Sequence, residues 1–353
     1  MKYPRSIKVW LFVGLVMVFV QVIVGGITRL TESGLSITKW EVVSGTLPPM
    51  SDEAWLEEFE KYKETPQYRE INEGMNLSDF KFIYFWEYVH RLWARFMGFV
   101  FLIPFIYFYM KGMIDIKLLK NLSVVVFFAG LAAIFGWIMV ASGLVERPWV
   151  DAYKLSLHLL IAIFVFISLF WTYLETLDLS SDIDFSGTYF SKGFKILFGI
   201  TIFQLMIGGI LSGMKAAVIY PTWPDMNGEF IPTILLNVNE WNMSNFYNYD
   251  KNAFMPALIH FLHRNMAYLL GILAIYLGLR LNKYVRNSNF RYIKLLSYFI
   301  IGIIVSQILI GIITVISSKG SIPVLWGVLH QAGALIVISI FVFAIFVVRI
   351  KKV

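Results

Sequence analysis

The sequence predicts an all-α integral membrane protein: eight transmembrane helices forming two tandem parallel four-helix bundles about a pseudo-two-fold axis along the membrane normal. Three observations carry that prediction. The 353 residues are 58% hydrophobic and 15% charged, with a mean hydropathy of +0.69, and a water-soluble fold would leave much of that apolar surface wet. Apolar runs of about twenty residues, enough to cross a bilayer, recur along the whole chain. The second half of the chain also repeats motifs of the first.

In chain order, spans are expected at 8–27, 82–109, 119–141, 154–175, 194–213, 254–281, 292–316 and 324–348. The first follows a short basic segment and has no small-residue cleavage site behind it, so it reads as a retained helix. No Arg- and Ser-rich presequence is visible, which points to a bacterial inner membrane and not to an organelle. A long connection, 28–81, separates the first two spans. Within it "SDEAWLEEFEKYKETP" predicts an amphipathic surface helix. Ser51 is its N-cap, Asp52 and Glu53 suit its first turn, Trp55, Phe59 and Tyr62 form a stripe, and Pro66 is the expected stop. The fifth and sixth spans are joined by 214–253, where "YPTWPDMNGEFIP" supplies the turn residues Pro221, Pro224, Gly228 and Pro232. Each connection is either a plain linker or, given its length and aromatic content, a lid.

The cations decide orientation. Lys2, Arg5 and Lys8 precede the first span, and Lys111, Lys117 and Lys120 follow the second. Arg280, Lys283, Arg286, Arg291 and Lys294 join the sixth and seventh, and Arg349, Lys351 and Lys352 close the chain. These segments share one side, so both termini are expected to be cytoplasmic and the two long connections outside. The segment after the fourth span fits less well, with Asp178, Asp182 and Asp184 against Lys192 and Lys195. Because the cations sit beside hydrophobic runs, the net charge of +7 is assigned to orientation and no nucleic-acid partner is expected. Cysteine is absent, which excludes disulfides, iron–sulfur ligation and thiolate-ligated or covalently attached haem.

"VHRLWARFMG" at 89–98 matches "LHRNMAYLLG" at 262–271, "LHLLIAIFV" at 157–165 matches "LHQAGALIV" at 329–337, and "QVIVGGI" at 21–27 matches "QLMIGGI" at 204–210. The halves are 1–176 and 177–353, each with four spans and therefore one orientation. The match sets four histidines in two pairs, His90 with His158 and His263 with His330. Each lies about 6–14 Å inside the outer boundary of its span, at 1.5 Å per residue. A helix–helix hydrogen bond explains a lone intramembrane histidine. Two per repeat at matched depth fit bis-imidazole ligation of a haem iron between facing helices. Zinc would need a third or fourth ligand close by. Gly and Ala near these histidines leave room for a flat macrocycle, although tight helix packing uses them too.

Arg91 and Arg264 each follow a histidine. They hold backbone carbonyls or snorkel outward, or they pair with haem propionates. Glu87, three residues before His90 in "FWEYVHRLW", breaks the symmetry, because His260 stands at the equivalent place. An acid beside one pair only fits a stable haem in one half and chemistry on the occupant of the other. A structural ion pair with Arg95 or Arg29 is the competing account.

The block "VGGITRLTESGLSITKWEVVSGTLPPMSDEAWLEEFEKYKETPQYREINEGMNLSDFKFIYFWEYVHR" resembles the opening of the haem A synthases. The resemblance continues through "GWIMVASGL", "LSLHL", "TWPDMNGEFIP", "HFLHR" and "LHQ", and so covers essentially the whole chain. It implies oxidation of a methyl substituent of haem O to the formyl group of haem A, for cytochrome oxidase assembly. It further implies haem b as cofactor on His263 and His330, haem O as substrate facing His90 and His158, and a requirement for Glu87. Two hydroxylations would give a geminal diol that loses water, or stepwise electron removal would leave a carbocation that water traps. Glu87 would act as base or as counter-charge to that cation. Members with a cysteine pair in the first outer connection differ from this chain, which is more similar to the proteobacterial and mitochondrial branch and has no thiol relay. His260 lies outside the family pattern. The implied partners are haem O, membrane lipid, an electron carrier, haem O synthase and cytochrome oxidase assembly proteins. Two rivals stand beside this reading. A di-haem b-type cytochrome taking electrons from quinol gives Glu87 no task. A transporter of parallel repeats would place its polar groups near the midplane.

Overall fold

The computed structural model describes residues 3–39, 47–145, 147–177, 189–286 and 291–349. Lys2, Lys351 and Lys352 of the basic clusters, and Asp178, Asp182 and Asp184, lie outside the described residues. The described chain is all helix and connection, with one isolated bridge between Met226 and Glu229. In order come α1 (Arg5–Leu30), α2 (Asp52–Lys63), α3 (Pro66–Glu70), α4 (Leu77–Met110), α5 (Ile116–Gly143) and α6 (Ala152–Thr176). They are followed by α7 (Tyr189–Gly213), α8 (Ala216–Ile219), α9 (Met243–Tyr247), α10 (Phe254–Val285), α11 (Arg291–Ile316) and α12 (Val324–Arg349). Eight of these, α1, α4, α5, α6, α7, α10, α11 and α12, are long and apolar enough to cross a membrane. They match the eight expected spans, but α7 starts at Tyr189 and not at 194, and α4 at Leu77 and not at 82. Asn76 caps it, accepting from the Asp79 N–H at 3.0 Å, and hydropathy does not register a polar first turn.

The chain divides into two compact units, one comprising Arg5–Phe166 and the other Ile167–Val353 with Met1–Pro4. In the second unit α7, α10, α11 and α12 close a ring in which α7 meets α10, α10 meets α11, α11 meets α12 and α12 returns to α7. Its packed core includes Phe190, Phe194, Leu277, Leu281, Ile300 and Phe341, all toward the end of the bundle away from His263 and His330. Lipid removes most of the hydrophobic drive, so close packing has to supply the adhesion. Glycines allow it: a Cβ on Gly271 would lie 2.9 Å from Ile308 and one on Gly278 2.9 Å from Ile301.

The first unit is put together differently. Among its described spanning helices, extensive close approach is confined to α1 and α4. Indole N–H groups stitch that pair, Trp10 to the Val100 carbonyl at 3.2 Å and Trp93 to the Met17 carbonyl at 3.0 Å. Helices α5 and α6 meet through the stacked rings of Phe128 and Phe164, 5.4 Å apart, and α6 reaches α1 through Phe166 and Phe19 at 6.3 Å.

The first connection forms a small folded cap. Ser51 caps α2 as expected, accepting from the Ala54 N–H at 3.2 Å. The stripe of Phe59 and Tyr62 is buried against Phe80, Ile83 and Tyr84 of α4, so α2 packs on protein. Pro66 does not stop α2, which already ends at Lys63; it opens α3, where a missing N–H costs nothing. The second connection is a series of short turns, α8 and α9 among them, and the tight turn at Trp223–Asn227 carries a cis Trp223–Pro224 bond.

Candidate functional site

Four matched histidines occupy four equivalent settings. Each faces a glycine on a neighbouring helix. A Cβ on Gly25 (α1) would lie 3.1 Å from His90 Nε2, one on Gly136 (α5) 2.9 Å from His158 Cε1, one on Gly208 (α7) 3.0 Å from His263 Cε1, and one on Gly311 (α11) 2.8 Å from His330 Cε1. Four residues before three of these glycines stands a glutamine on the same helix face. Gln21 Nε2 donates to the His90 carbonyl at 3.2 Å, Gln204 to the His263 carbonyl at 2.9 Å and Gln307 to the His330 carbonyl at 2.7 Å. The amide holds the histidine's backbone while the glycine leaves space for its ring. The fourth setting differs, because Ala132 stands four residues before Gly136. Gln204 and Gln307 also lie against the imidazoles themselves, at 3.4 Å from His263 Nε2 and 3.2 Å from His330 Nδ1.

The histidine pairs fit a metalloporphyrin on three counts. The His263 and His330 ring centroids are 6.3 Å apart with planes at 73°. An atom midway would be about 3 Å from each centroid, which is a metal–nitrogen bond of about 2 Å plus the ring's own radius. The Nδ1 atoms of His158 and His263 are buried with no hydrogen-bond partner, a costly state for a polar atom that no ligand engages. Among the described residues no third His, Asp or Glu joins either pair. A pair of imidazoles would be enough to hold a haem iron, because the macrocycle would supply the remaining ligands.

Glu87 is 3% exposed and its carboxylate is fully engaged. Oε2 accepts from the Ser36 N–H at 2.8 Å, the Ser36 hydroxyl at 2.7 Å and the Ile37 N–H at 2.9 Å. Oε1 accepts from Arg91 at 2.6 Å. The ion partner is therefore Arg91, one turn away, and neither Arg95 nor Arg29. Arg91 also donates to the carbonyls of Ile37 and Lys39, both at 3.3 Å. Its counterpart Arg264 does the same for the second connection, reaching Pro224 at 2.7 Å and Phe230 at 2.8 Å, while its buried Nε has no partner. Each arginine thus clamps the segment that follows the preceding span. His260, in the place of Glu87, is buried and packs edge-on against Tyr220 at 6.2 Å.

Sequence reasoning singled out the histidines, Glu87 and the arginines, and missed their supports. Gln21, Gly25, Gln204 and Gly208 were visible as the matched letters of "QVIVGGI" and "QLMIGGI", but nothing in the motif says which residue across the bundle they serve. The second connection adds a compact turn in which Asp225 accepts from the Thr222 hydroxyl at 2.7 Å and the Gly228 N–H at 3.1 Å. These bonds hold its carboxyl below the usual carboxylate range.

The chain matches the family model of the COX15-CtaA cytochrome oxidase assembly proteins over residues 8–342. It is similar to a heme A synthase of Caulobacter sp. (strain K31), 38% identical over 336 residues that span 95% of this chain and 94% of that one. It is similar also to heme A synthases of Nitrosospira multiformis, 37% identical over 340 residues (95% and 91% of the two chains), and Pelagibacter ubique, 36% identical over 337 residues (96% and 95%). With eight apolar helices among its described residues, this multi-pass membrane protein belongs to the COX15-CtaA family of cytochrome oxidase assembly proteins.

Proposed function

We propose that the protein oxidises a methyl substituent of haem O to the formyl group of haem A. The observation that carries this reading is Glu87. An acid with a complete set of donors stands beside one histidine pair, and its counterpart beside the other pair is His260. A pure electron carrier has no use for that difference.

In this reading haem O is the substrate of the first unit, met by His90 and His158, and Glu87 presents its charge to the methyl being oxidised. His263 and His330 hold a resident haem b, which supplies one-electron redox chemistry when bound. The spacing of their rings and the glycine behind each favour that assignment. Arg264 Nε is the donor left over for a propionate, and Arg91 is kept for Glu87 and the connection above it. The halves 1–176 and 177–353 each form a four-helix bundle. The protein lies in a bacterial inner membrane with both termini cytoplasmic; an electron carrier and haem O synthase are its expected partners.

Haem extraction tests the activity. Cells making a haem O synthase should accumulate haem O alone and should contain haem A once this chain is added. Unchanged haem types would return the protein to the class of electron-transfer cytochromes. Reporter fusions near Lys117 and Arg286 should read cytoplasmic, and one near Glu60 external; the reverse would invert the orientation.

A further inference from the structure

The turn that holds Glu87 is built at several points. Helix α1 ends with a Schellman-type stop, in which the Ser33 N–H reaches the Thr28 carbonyl at 2.9 Å and the Glu32 N–H reaches that of Arg29 at 3.2 Å. Glu32 sits in the left-handed region at φ 56°, an uncommon conformation for a residue with a Cβ. Leu35, 1% exposed, is wedged against Gly143 of α5, where a Cβ would come within 2.8 Å of its methyl carbon. Gln67 of α3 donates to the Glu32 carbonyl at 2.9 Å, tying the cap to the turn. What these contacts fix in place is Ser36. It is 1% exposed, and both its N–H and its hydroxyl point at one oxygen of Glu87.

The repeat makes the pairing specific. The 183-residue offset that aligns "QVIVGGI" with "QLMIGGI" also aligns Trp40 with Trp223, and between them it sets Ser36 opposite Ile219 and Ile37 opposite Tyr220. In the second unit the acid's place is taken by His260 and the hydroxyl's by Ile219, and His260 touches Tyr220. The same two places meet in both units. Only the first carries an acceptor on one side and a hydroxyl on the other; acid and serine are present together and replaced together.

We propose that Ser36 is a positioning residue for the oxidation. Three donors converge on Oε2 of Glu87, two from Ser36 and one from Ile37, and anchor that oxygen. This leaves Oε1, which accepts from Arg91, as the oxygen assigned to the reaction. A carboxylate is acceptor-only and satisfies all four donors at once. The proposal rests on the reading of Glu87 as the acid of the reaction, and it deepens that reading by naming what aims the acid.

The test uses the full-length protein in lipid nanodiscs loaded with haem O and supplied in air with a redox mediator. Infrared difference spectra identify the Glu87 carboxylate band by its loss in Glu87→Gln. Ser36→Ala should shift that band and slow oxidation per bound haem about tenfold or more, the effect of one charge-assisted hydrogen bond. Bound haem O should stay at the wild-type level. Ser36→Thr, which keeps the hydroxyl, should restore both the band and most of the rate. If Glu87→Gln slows the reaction but Ser36→Ala neither moves the band nor changes the rate, the positioning role is wrong and the reading of Glu87 stands. If Ser36→Ala lowers bound haem O in proportion to the rate, Ser36 is structural and the proposal falls. If Glu87→Gln oxidises haem O at the normal rate, the reading of Glu87 fails and takes the proposal with it.

Discussion

An imidazole that must stand between two helices needs a gap in the helix it faces, and at four places that gap is a glycine. The gap at Gly311 is the tightest of the four, since its Cβ would come within 2.8 Å of His330 Cε1. The ring is the far end of a flexible side chain, so an added methyl turns the ring without breaking the helix. Gly311→Ala should therefore leave the fold intact and misalign one iron ligand, at a cost of about 1–3 kcal/mol typical of overpacking. The readout is bound haem per purified protein and the temperature at which it is lost, both expected to fall. Gly302 on the same helix has nothing within 4 Å of its would-be Cβ. Gly302→Ala should hold its pigment as well as the wild type or slightly better, because alanine favours helix. Equal pigment in both variants would mean that the space behind His330 is not needed. At this scale the sequence marked the candidate residues, because an ionisable group in an apolar run is costly unless a partner or a function accounts for it. It did not show their supports. Ser36, Gly311 and Gln307 are ordinary letters until the chain brings them against Glu87 and His330.

Helices were legible where local chemistry and burial agree. In α2 a Ser51 cap, acids in the first turn and an aromatic stripe all point the same way, and α2 runs Asp52–Lys63. The stop was misjudged because proline after a helix and proline at the start of the next look alike in sequence. What the stripe packs against was not legible either, since lipid and the first turns of α4 are both apolar surfaces. The structure buries Tyr62 there completely, its hydroxyl donating to Gln67 at 3.1 Å and accepting from Asn72 at 2.7 Å. Burial pushes its phenol up to about 12, with the negative charges of Glu32 and Glu87 adding to the shift and the Asn72 bond opposing it. An unfolded tyrosine titrates near about 10. The folded cap thus keeps a proton that the unfolded segment loses. Its stability is undiminished below pH about 10 and falls as pH rises toward 12. A spectrophotometric titration of the wild type minus Tyr62→Phe should show one phenolate step near 12. A step near 10 would mean that Tyr62 is wet and that the cap does not close over α4.

At the scale of the whole chain, the repeat was the most informative signal, because two matched histidines per half restrict the chemistry far more than hydropathy does. It was silent on which helices of each unit pair most closely. Helices α7, α10, α11 and α12 close on every side, while in the first unit α1 and α4 alone make an extensive pair among the described spans. Ring-facing glutamines follow the same division. Both imidazoles of the second unit have a glutamine amide against the ring, whereas in the first unit Gln21 reaches only the His90 carbonyl and His158 is met by the backbone of Ala132. Outer contacts of this kind orient metal-binding histidines and commonly contribute 10–100-fold in affinity, roughly, when removed. In the proposed division of labour the second pair keeps a permanent ligand and the first meets one that enters and leaves. The expected consequence is unequal loss of pigment. Protein purified without haem O should carry a low-spin haem with two imidazole ligands. His263→Ala or His330→Ala should remove most of it, and Gln307→Ala should weaken its retention. His90→Ala and His158→Ala should keep the pigment yet make no haem A. Absorption and electron paramagnetic resonance spectra of the variants, normalised to protein, decide the matter: equal loss from all four histidine variants would show that the two units share one task.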